Sequence, residues 1–136
     1  MQEFLELLRN GLHGILASTI QTMEEAGCTV CDATDAVPWE HTMDLARQVW
    51  DKSRHIEIFL KLLERIEGYS GEALETIMSG RGAGVEPAPA ELGCHTLVQL
   101  IELAQKIGDP ISARALDFVL ADTRVQVPED QAYAVA

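Results

Sequence analysis

Apolar side chains recur every three or four residues in four stretches of the chain, which is the spacing of helices with one buried face. The stretches cover residues 3–27, 38–68, 90–107 and 111–126. The second is the clearest, because its apolar positions keep helical spacing over about six turns. These positions are Leu45, Val49, Ile56, Phe59, Leu63 and Ile66. The pattern predicts an all-α fold.

Glycine and proline mark the predicted ends of these helices. Gly27 is expected to end the first helix, residues 28–37 to form a loop, and Pro38 to start the second helix. The triplet Gly108, Asp109, Pro110 predicts a stop followed at once by a restart. Within the first helix, Gly11 and Gly14 lower helix propensity and would permit a neighbouring helix to approach closely.

The longest break in the pattern covers residues 69–89, with one short helical turn expected at 72–78. A segment of this length in a small domain suits a crossover that runs the length of a bundle. With 136 residues the chain can close one core, so one domain is expected over residues 1–136, with a short tail at 129–136. The prediction is an antiparallel four-helix bundle with a long crossover and a short fourth helix.

The buried face of the second helix also carries polar groups. At 100° per residue, Gln48, Lys52 and His55 fall on the same side as its apolar positions. Such groups are rarely placed inside a protein without a task. Thr19 lies at the centre of the apolar stripe of the first helix. The interior is therefore expected to be polar at its middle, and function is expected there.

A weak internal repeat supports this polar centre. Residues 46–55 placed over 117–126 align Asp51 with Asp122, Lys52 with Thr123, and His55 with Gln126. The second and fourth helices thus look like copies related by a pseudo-two-fold axis.

Two sequence motifs resemble a known family. Residues 44–57 read DLARQVWDKSRHIE, and a GDP triplet at 108–110 precedes LDFVLADT at 116–123. They resemble bacterial members of the ferritin-like superfamily of di-iron carboxylate bundles, where a helix of the type DLARQ-W-DEARH-E is followed by one of the type GDP…LDFVLADE--H. The likeness extends from residue 38 almost to 127, and the first helix fits by position. It implies a ferritin-like four-helix bundle.

The metal ligands implied by the resemblance are mostly missing. Glu-x-x-His is expected on helices two and four, with one further Glu from each of the other helices. Lys52 and Thr123 stand where the two motif glutamates belong, and Gln126 stands for the second histidine. No acid lies on the first helix near Thr19.

Of the six implied ligands, His55 and at most Glu91 remain. One imidazole and one carboxylate are too few to hold two iron ions. We therefore expect neither a metal nor a cofactor at this site.

Lys52 places a positive charge where a metal cation would lie. An unpaired buried ammonium costs several kcal/mol or loses its proton, so we expect a partner among Glu91, Asp51 and Asp122. Three roles stay open for Lys52: a structural replacement, an amine acting as base or imine-forming nucleophile, and a charge that orients an anionic ligand.

The favoured function is a metal-free ferritin-like protein whose former di-iron cavity binds a small molecule. Whether it is an enzyme stays open; if it is, Lys52 and His55 are expected to carry acid–base chemistry. The catalytic candidates are Lys52, His55 and Glu91. The ligand-binding candidates are Thr19, Gln48, Cys94, Thr123 and Gln126.

Two other classes of function stay open. A single-metal, oxygenase-like enzyme would use His55 and Glu91 with Cys94 or His95. A non-catalytic partner subunit of a larger complex would work through its surface alone. Cys28 and Cys31 form a C-x-x-C pair, which is read first as two reduced loop thiols and second as a zinc or redox site.

Composition narrows the partners. The formal net charge is -12, from 22 Asp and Glu against 10 Lys and Arg, which disfavours nucleic acid and anionic membranes. Three cysteines and the absence of a long apolar run favour a cytoplasmic protein. A short fourth helix would leave apolar surface uncovered on helices one and two, so a dimer or a partner subunit is expected.

Overall fold

The computed structural model describes residues 1–67 and 93–126, which form four helices and contain no strand. The helices are α1 (Gln2–Cys31), α2 (Trp39–Glu67), α3 (Gly93–Ile107) and α4 (Pro110–Gln126). The prediction of an all-α fold is confirmed. The expected crossover at 69–89, the tail at 129–136 and Glu91 lie outside the described residues.

Contacts between side chains fix the directions of the helices. Arg65 on α2 lies 3.4 Å from Asp109 at the start of α4, and Arg54 lies 3.1 Å from Asp122 near its end. These two helices therefore run antiparallel. α1 packs most extensively on α2 and also on α3, whereas α2 and α4 share the least surface of these neighbouring pairs. The arrangement is that of a helical bundle.

The apolar core occupies the middle of this bundle. It is built from residues 8–20 of α1, 56–63 of α2, 97–104 of α3 and 113–120 of α4. Ile56, Phe59 and Leu63 are buried as the spacing of α2 predicts, whereas Leu45 and Val49 are only partly buried. The prediction of one continuous buried stripe along α2 is therefore wrong toward its N-terminus.

The difference follows from the lengths of the two helical hairpins. α1 and α2 have 30 and 29 residues, against 15 and 17 for α3 and α4. At 1.5 Å per residue, the first hairpin is roughly 45 Å long and the second about 25 Å. No side chain between residues 21 and 54 is buried. Within the described residues, the outer part of the α1–α2 hairpin thus stands beyond the core.

The predicted end of the first helix is wrong. α1 continues past Gly27 to Cys31, so Cys28 and Cys31 lie on its last turn and not in a loop over 28–37. A glycine ends a helix when it adopts the left-handed conformation, and Gly27 does not. Gly108 does, with φ 82°, and the predicted stop before α4 is confirmed.

Asp109 begins α4 by accepting hydrogen bonds from the Ser112 backbone N at 3.2 Å and from Ser112 Oγ at 2.5 Å. Arg65 of α2 reaches the same carboxylate. Hydrogen bonding to Ser112 and the charge of Arg65 lower the pKa of Asp109, although its partial burial acts in the opposite direction. This cap ties the beginning of α4 to the end of α2.

Gly11 and Gly14 give a matched test of the contact between α1 and α3. A Cβ added at Gly11 would overlap Leu100 Cδ2, whereas a Cβ at Gly14 would meet nothing within 4 Å. Gly14→Ala should raise the free energy of unfolding by about 0.5–1 kcal/mol through helix propensity. Gly11→Ala adds an overpacking penalty of about 1–3 kcal/mol, which should cancel or exceed that gain.

Urea denaturation of both variants measures the difference. We expect Gly14→Ala to be the more stable by about 1–3 kcal/mol. Equal stabilities would mean that α3 does not approach α1 closely at Gly11.

Candidate functional site

The guanidinium of Arg54 binds the two aspartates that the internal repeat aligns. Arg54 Nη2 lies 2.7 Å from Asp51 Oδ1, one turn away on α2, and 3.1 Å from Asp122 Oδ2 on α4. These charge-assisted hydrogen bonds raise the pKa of Arg54 further above its usual range. The guanidinium also lies over the ring of Phe118, 6.0 Å from its centroid. Arg54 is thus the link between α2 and α4 at this level.

His55 lies beside this link and is almost fully buried, with 1% of its surface exposed. Its Nε2 is 3.0 Å from Asp122 Oδ2. Burial lowers the pKa of His55 and the charge of Lys52 lowers it further, against the opposing effect of Asp122. The ring is therefore neutral at pH 7. Because a carboxylate can only accept, Nε2 carries the proton and Nδ1 keeps the lone pair.

Lys52 has no such partner. Its pKa is lowered chiefly by burial, and Cys94 and Asp51 only partly oppose this. Among the described residues no carboxylate forms an ion pair with Lys52. Neither Asp51 nor Asp122 forms the expected ion pair, because Arg54 binds both carboxylates and His55 also binds Asp122. Asp51 is nevertheless close enough for its charge to raise the pKa of Lys52. Glu91, the third expected partner, lies outside the described residues.

A small cavity of about 60 Å³ lies where the sequence predicts a polar centre. Its lining is contributed by all four helices: Ile15, Ser18, Thr19, Thr22, Lys52, His55, Phe59, Leu97, Val119 and Thr123. Four of the candidate residues, Thr19, Lys52, His55 and Thr123, are thus brought together. Side chains from α1, α2 and α4 supply the polar part, and the rest is apolar.

Other candidates lie elsewhere. Gln48 is partly buried on α2 and does not line the cavity. Cys94 does not line it either, but is close enough to Lys52 to raise the pKa of its amine. Neither Glu91 nor the side chain of Gln126 belongs to the part of the chain that the structure describes.

The threonine hydroxyls of the cavity already act as hydrogen-bond donors to carbonyl oxygens of their own helices. Thr19 donates to the Ile15 carbonyl oxygen at 2.7 Å, and Thr123 to that of Val119 at 2.8 Å. Thr22 donates to the Ser18 carbonyl oxygen at 2.9 Å. Each hydroxyl therefore remains only as an acceptor. Sequence reasoning missed Ser18 and Thr22, although Thr22 lies one helical turn from Thr19 on the same side of α1 and Ser18 one turn before Thr22.

The residues present do not fit a di-iron centre. The Lys52 amine occupies the cavity where a carboxylate ligand would be needed, and Asp122 is held by Arg54 and His55. Within residues 1–67 and 93–126, no three His, Cys, Asp or Glu side chains are grouped so that they could hold a metal ion. His95 is exposed and bonds Gln99, so it does not join His55.

Another histidine, His13, and the two cysteines of the C-x-x-C pair are also apart from this centre. His13 is bound to Glu67 at 3.3 Å, at the end of α2. Cys28 and Cys31 are exposed free thiols at the end of α1. The three cysteines form no common cluster.

A larger cavity, of about 400 Å³, lies near the beginning of α1 and the end of α2. It is open at the surface, and two of its three charged groups, Arg9 and Glu67, pair with each other at 3.1 Å; the third is Glu6. It contains none of the candidate residues. The smaller cavity, which is lined by Lys52 and His55, is therefore the candidate site.

No protein-family model matches the sequence, and no similar curated protein or solved structure was found. No helix among the described residues is long and apolar enough to cross a lipid bilayer.

Replacing Asp122 tests its hydrogen bond to His55. Asp122→Ala leaves the buried Nε2–H without an acceptor and should lower the free energy of unfolding by about 1–3 kcal/mol. Asp122→Asn keeps a carbonyl oxygen as acceptor, so the loss should be about half as large. The pKa of His55, measured by NMR, should fall in Asp122→Ala because the carboxylate raises it. Equal destabilisation by both changes would contradict a hydrogen bond at this position.

Lys52→Met tests the burial of the amine. Folding lowers the pKa of Lys52 below 10.5. At pH values between the pKa of the folded state and 10.5, the unfolded chain therefore binds more protons than the folded chain. Wild-type stability should therefore rise with pH across this window, and the variant should lack this rise. At pH 7 we expect the variant to be more stable by about 1–3 kcal/mol.

The measurement is denaturant unfolding of both proteins from pH 7 to 11. The effects of the other titrating groups cancel when the free energies of unfolding of the two proteins are subtracted. The advantage of Lys52→Met should shrink toward pH 10.5. The pKa of His55 should rise in the variant, since the Lys52 charge lowers it. Parallel pH profiles would contradict a lowered pKa of Lys52.

Proposed function

We propose that this chain is a degenerate ferritin-like bundle in which the cavity that holds iron in the family binds a small neutral molecule instead. The observation that carries the proposal is the convergence of Thr19, Lys52, His55 and Thr123 on one cavity. At three of these four positions the resemblance implies metal ligands that this sequence has replaced, and at the fourth, His55, it keeps one.

The cavity limits the size and character of the ligand. A volume of about 60 Å³ accommodates roughly four or five non-hydrogen atoms, since one water needs about 10–15 Å³ on this measure. Ile15, Phe59 and Leu97 favour an apolar portion. The ligand should also carry one acceptor for the Lys52 amine, and a donor for the threonine oxygens.

If the ligand is a substrate, Lys52 and His55 are the groups for acid–base chemistry. Burial moves the pKa of Lys52 toward neutrality, where an amine can both give and take a proton. His55 is held in one tautomer by Asp122, which leaves one basic nitrogen on the ring. The network around Arg54 therefore sets the tautomer of His55 and leaves the Lys52 amine available to react.

Binding is tested with acetamide and isopropanol as probes, followed through the backbone amide resonances of Thr19 and Thr123. We expect saturable shifts at these positions. Lys52→Met should weaken acetamide binding by about tenfold, because the probe loses one hydrogen bond of about 1.4 kcal/mol. Lys61→Met is the matched control, since Lys61 is exposed and paired with Glu57.

Shifts that do not saturate, or that are the same in both lysine variants, would contradict a ligand site at this cavity.

A second candidate function is that of a partner subunit, here a dimer through the outer part of α2. Trp39, Met43 and Trp50 recur at helical spacing there and are 71%, 48% and 67% exposed. Tryptophan and methionine are enriched at protein interfaces, and tryptophan dominates their binding energy. This stripe lies in the part of the hairpin that the described core does not cover.

The dimer is tested by sedimentation velocity at micromolar concentration. We expect the wild type to sediment as a dimer and the double variant Trp39→Gln, Trp50→Gln as a monomer. Because both side chains are exposed, monomer stability should change by only about 0.5 kcal/mol. Ile111→Gln, an equally exposed apolar position on α4, is the control and should stay dimeric. A monomeric wild type would rule out this candidate.

A further inference from the structure

The three lysines of this chain lie in different surroundings. Lys61 is exposed and pairs with Glu57 at 2.9 Å, which raises its pKa. Lys106 lies over the ring of Phe4, 5.8 Å from its centroid. Lys52 faces the cavity and forms no ion pair within the described residues. Lys52 is thus the lysine that lines a cavity without an ion pair to any carboxylate in the described part of the chain.

These surroundings favour a nucleophilic amine. The nucleophile is the uncharged form, and burial shifts Lys52 toward it. Among the described residues, the titratable groups that act on Lys52 are Asp51 and His55 on α2 and Cys94 on α3. α1 and α4 present threonines to the cavity, which do not titrate.

We propose that Lys52 forms an imine with a neutral aldehyde of about two or three carbons bound in the cavity. This inference rests on the proposed function and names the substrate class of that site. It is carried by the position of the amine in a small cavity with apolar walls and by the lack of a carboxylate partner among the described residues.

The step is balanced without a further reactant. The lone pair of Nζ attacks the carbonyl carbon, a C–N bond forms, and the π electrons move to oxygen to give a carbinolamine. Both protons of the neutral amine end on that oxygen, which leaves as water as the C=N bond forms. The carbinolamine hydroxyl needs a hydrogen-bond acceptor. The hydroxyl oxygens of Thr19 and Thr123 can accept, because their O–H groups already donate to the carbonyl oxygens of Ile15 and Val119.

The charge of the site selects against acids. Once Lys52 has reacted, no other Lys or Arg of residues 1–67 and 93–126 lines the cavity, since Arg54 is outside its lining and holds two aspartates. A carboxylate on the ligand would therefore be buried without a partner. Acetaldehyde should be preferred over glyoxylate, although both are small enough.

The experiment is reductive trapping on the whole chain. The protein is treated with acetaldehyde and sodium cyanoborohydride at pH 7, and ethylation of each lysine is followed by peptide mass spectrometry. Lys61 and Lys106 serve as controls within the same molecule. We expect Lys52 to react several-fold faster than Lys61, because burial lowers the pKa of Lys52 whereas Glu57 raises that of Lys61. The ratio should fall toward one above pH 10.5.

Two comparisons isolate the cavity. With glyoxylate in place of acetaldehyde, the preference for Lys52 should drop severalfold. Thr123→Val changes the cavity wall without adding or removing charge. It should slow the modification of Lys52 and leave the rate of modification of Lys61 unchanged. Circular dichroism of this variant confirms that it is folded.

Modification of Lys52 no faster than that of Lys61 and Lys106 would overturn the proposal. If acetamide and isopropanol still shift the amides of Thr19 and Thr123 in that case, imine formation alone is wrong and the cavity remains a binding site. If the probes also fail to bind, the proposed function is wrong as well.

Discussion

The arrangement of the site depends on Arg54, whose guanidinium binds Asp51 on its own helix and Asp122 on α4. It joins the two neighbouring helices that share the least surface, at the level where the core gives way to the outer hairpin. The same contact positions Asp122 as the acceptor for buried His55. Because Arg54 binds both aspartates, neither forms an ion pair with Lys52, although the charge of Asp51 still raises the pKa of the amine.

Lys52, which forms no ion pair with a described carboxylate, accounts for the open space in the interior at this level. Packing a bare ammonium against apolar side chains would be very unfavourable, so the amine lies in a cavity where water or a ligand can reach it. The hydroxyls of the threonines around it donate hydrogen bonds within their own helices, so toward the cavity they can only accept hydrogen bonds. The cavity therefore suits a small neutral ligand better than a metal ion, which would need carboxylates where Lys52 and Thr123 stand.

Much of the fold could be predicted from the sequence because helical periodicity and turn signals act locally. The spacing of Ile56, Phe59 and Leu63, and the stop at Gly108, are properties of short segments, and the structure agrees with them. The prediction that α1 ends at Gly27 was wrong, since Gly27 permits a left-handed turn but does not require one. The partial exposure of Leu45 and Val49 could not be predicted, because it depends on where other helices end.

For the site, the sequence by itself determined which polar residues fall on the inner faces: Thr19, Lys52, His55 and Thr123 follow from the periods of their helices. Only the tertiary structure decided how these groups are paired. Asp51, Asp122 and Glu91 were all compatible with the Lys52 amine as partners. Whether a described carboxylate reaches it depends on the angle and height at which α4 meets α2. That geometry is set by packing between distant segments, which no local pattern encodes.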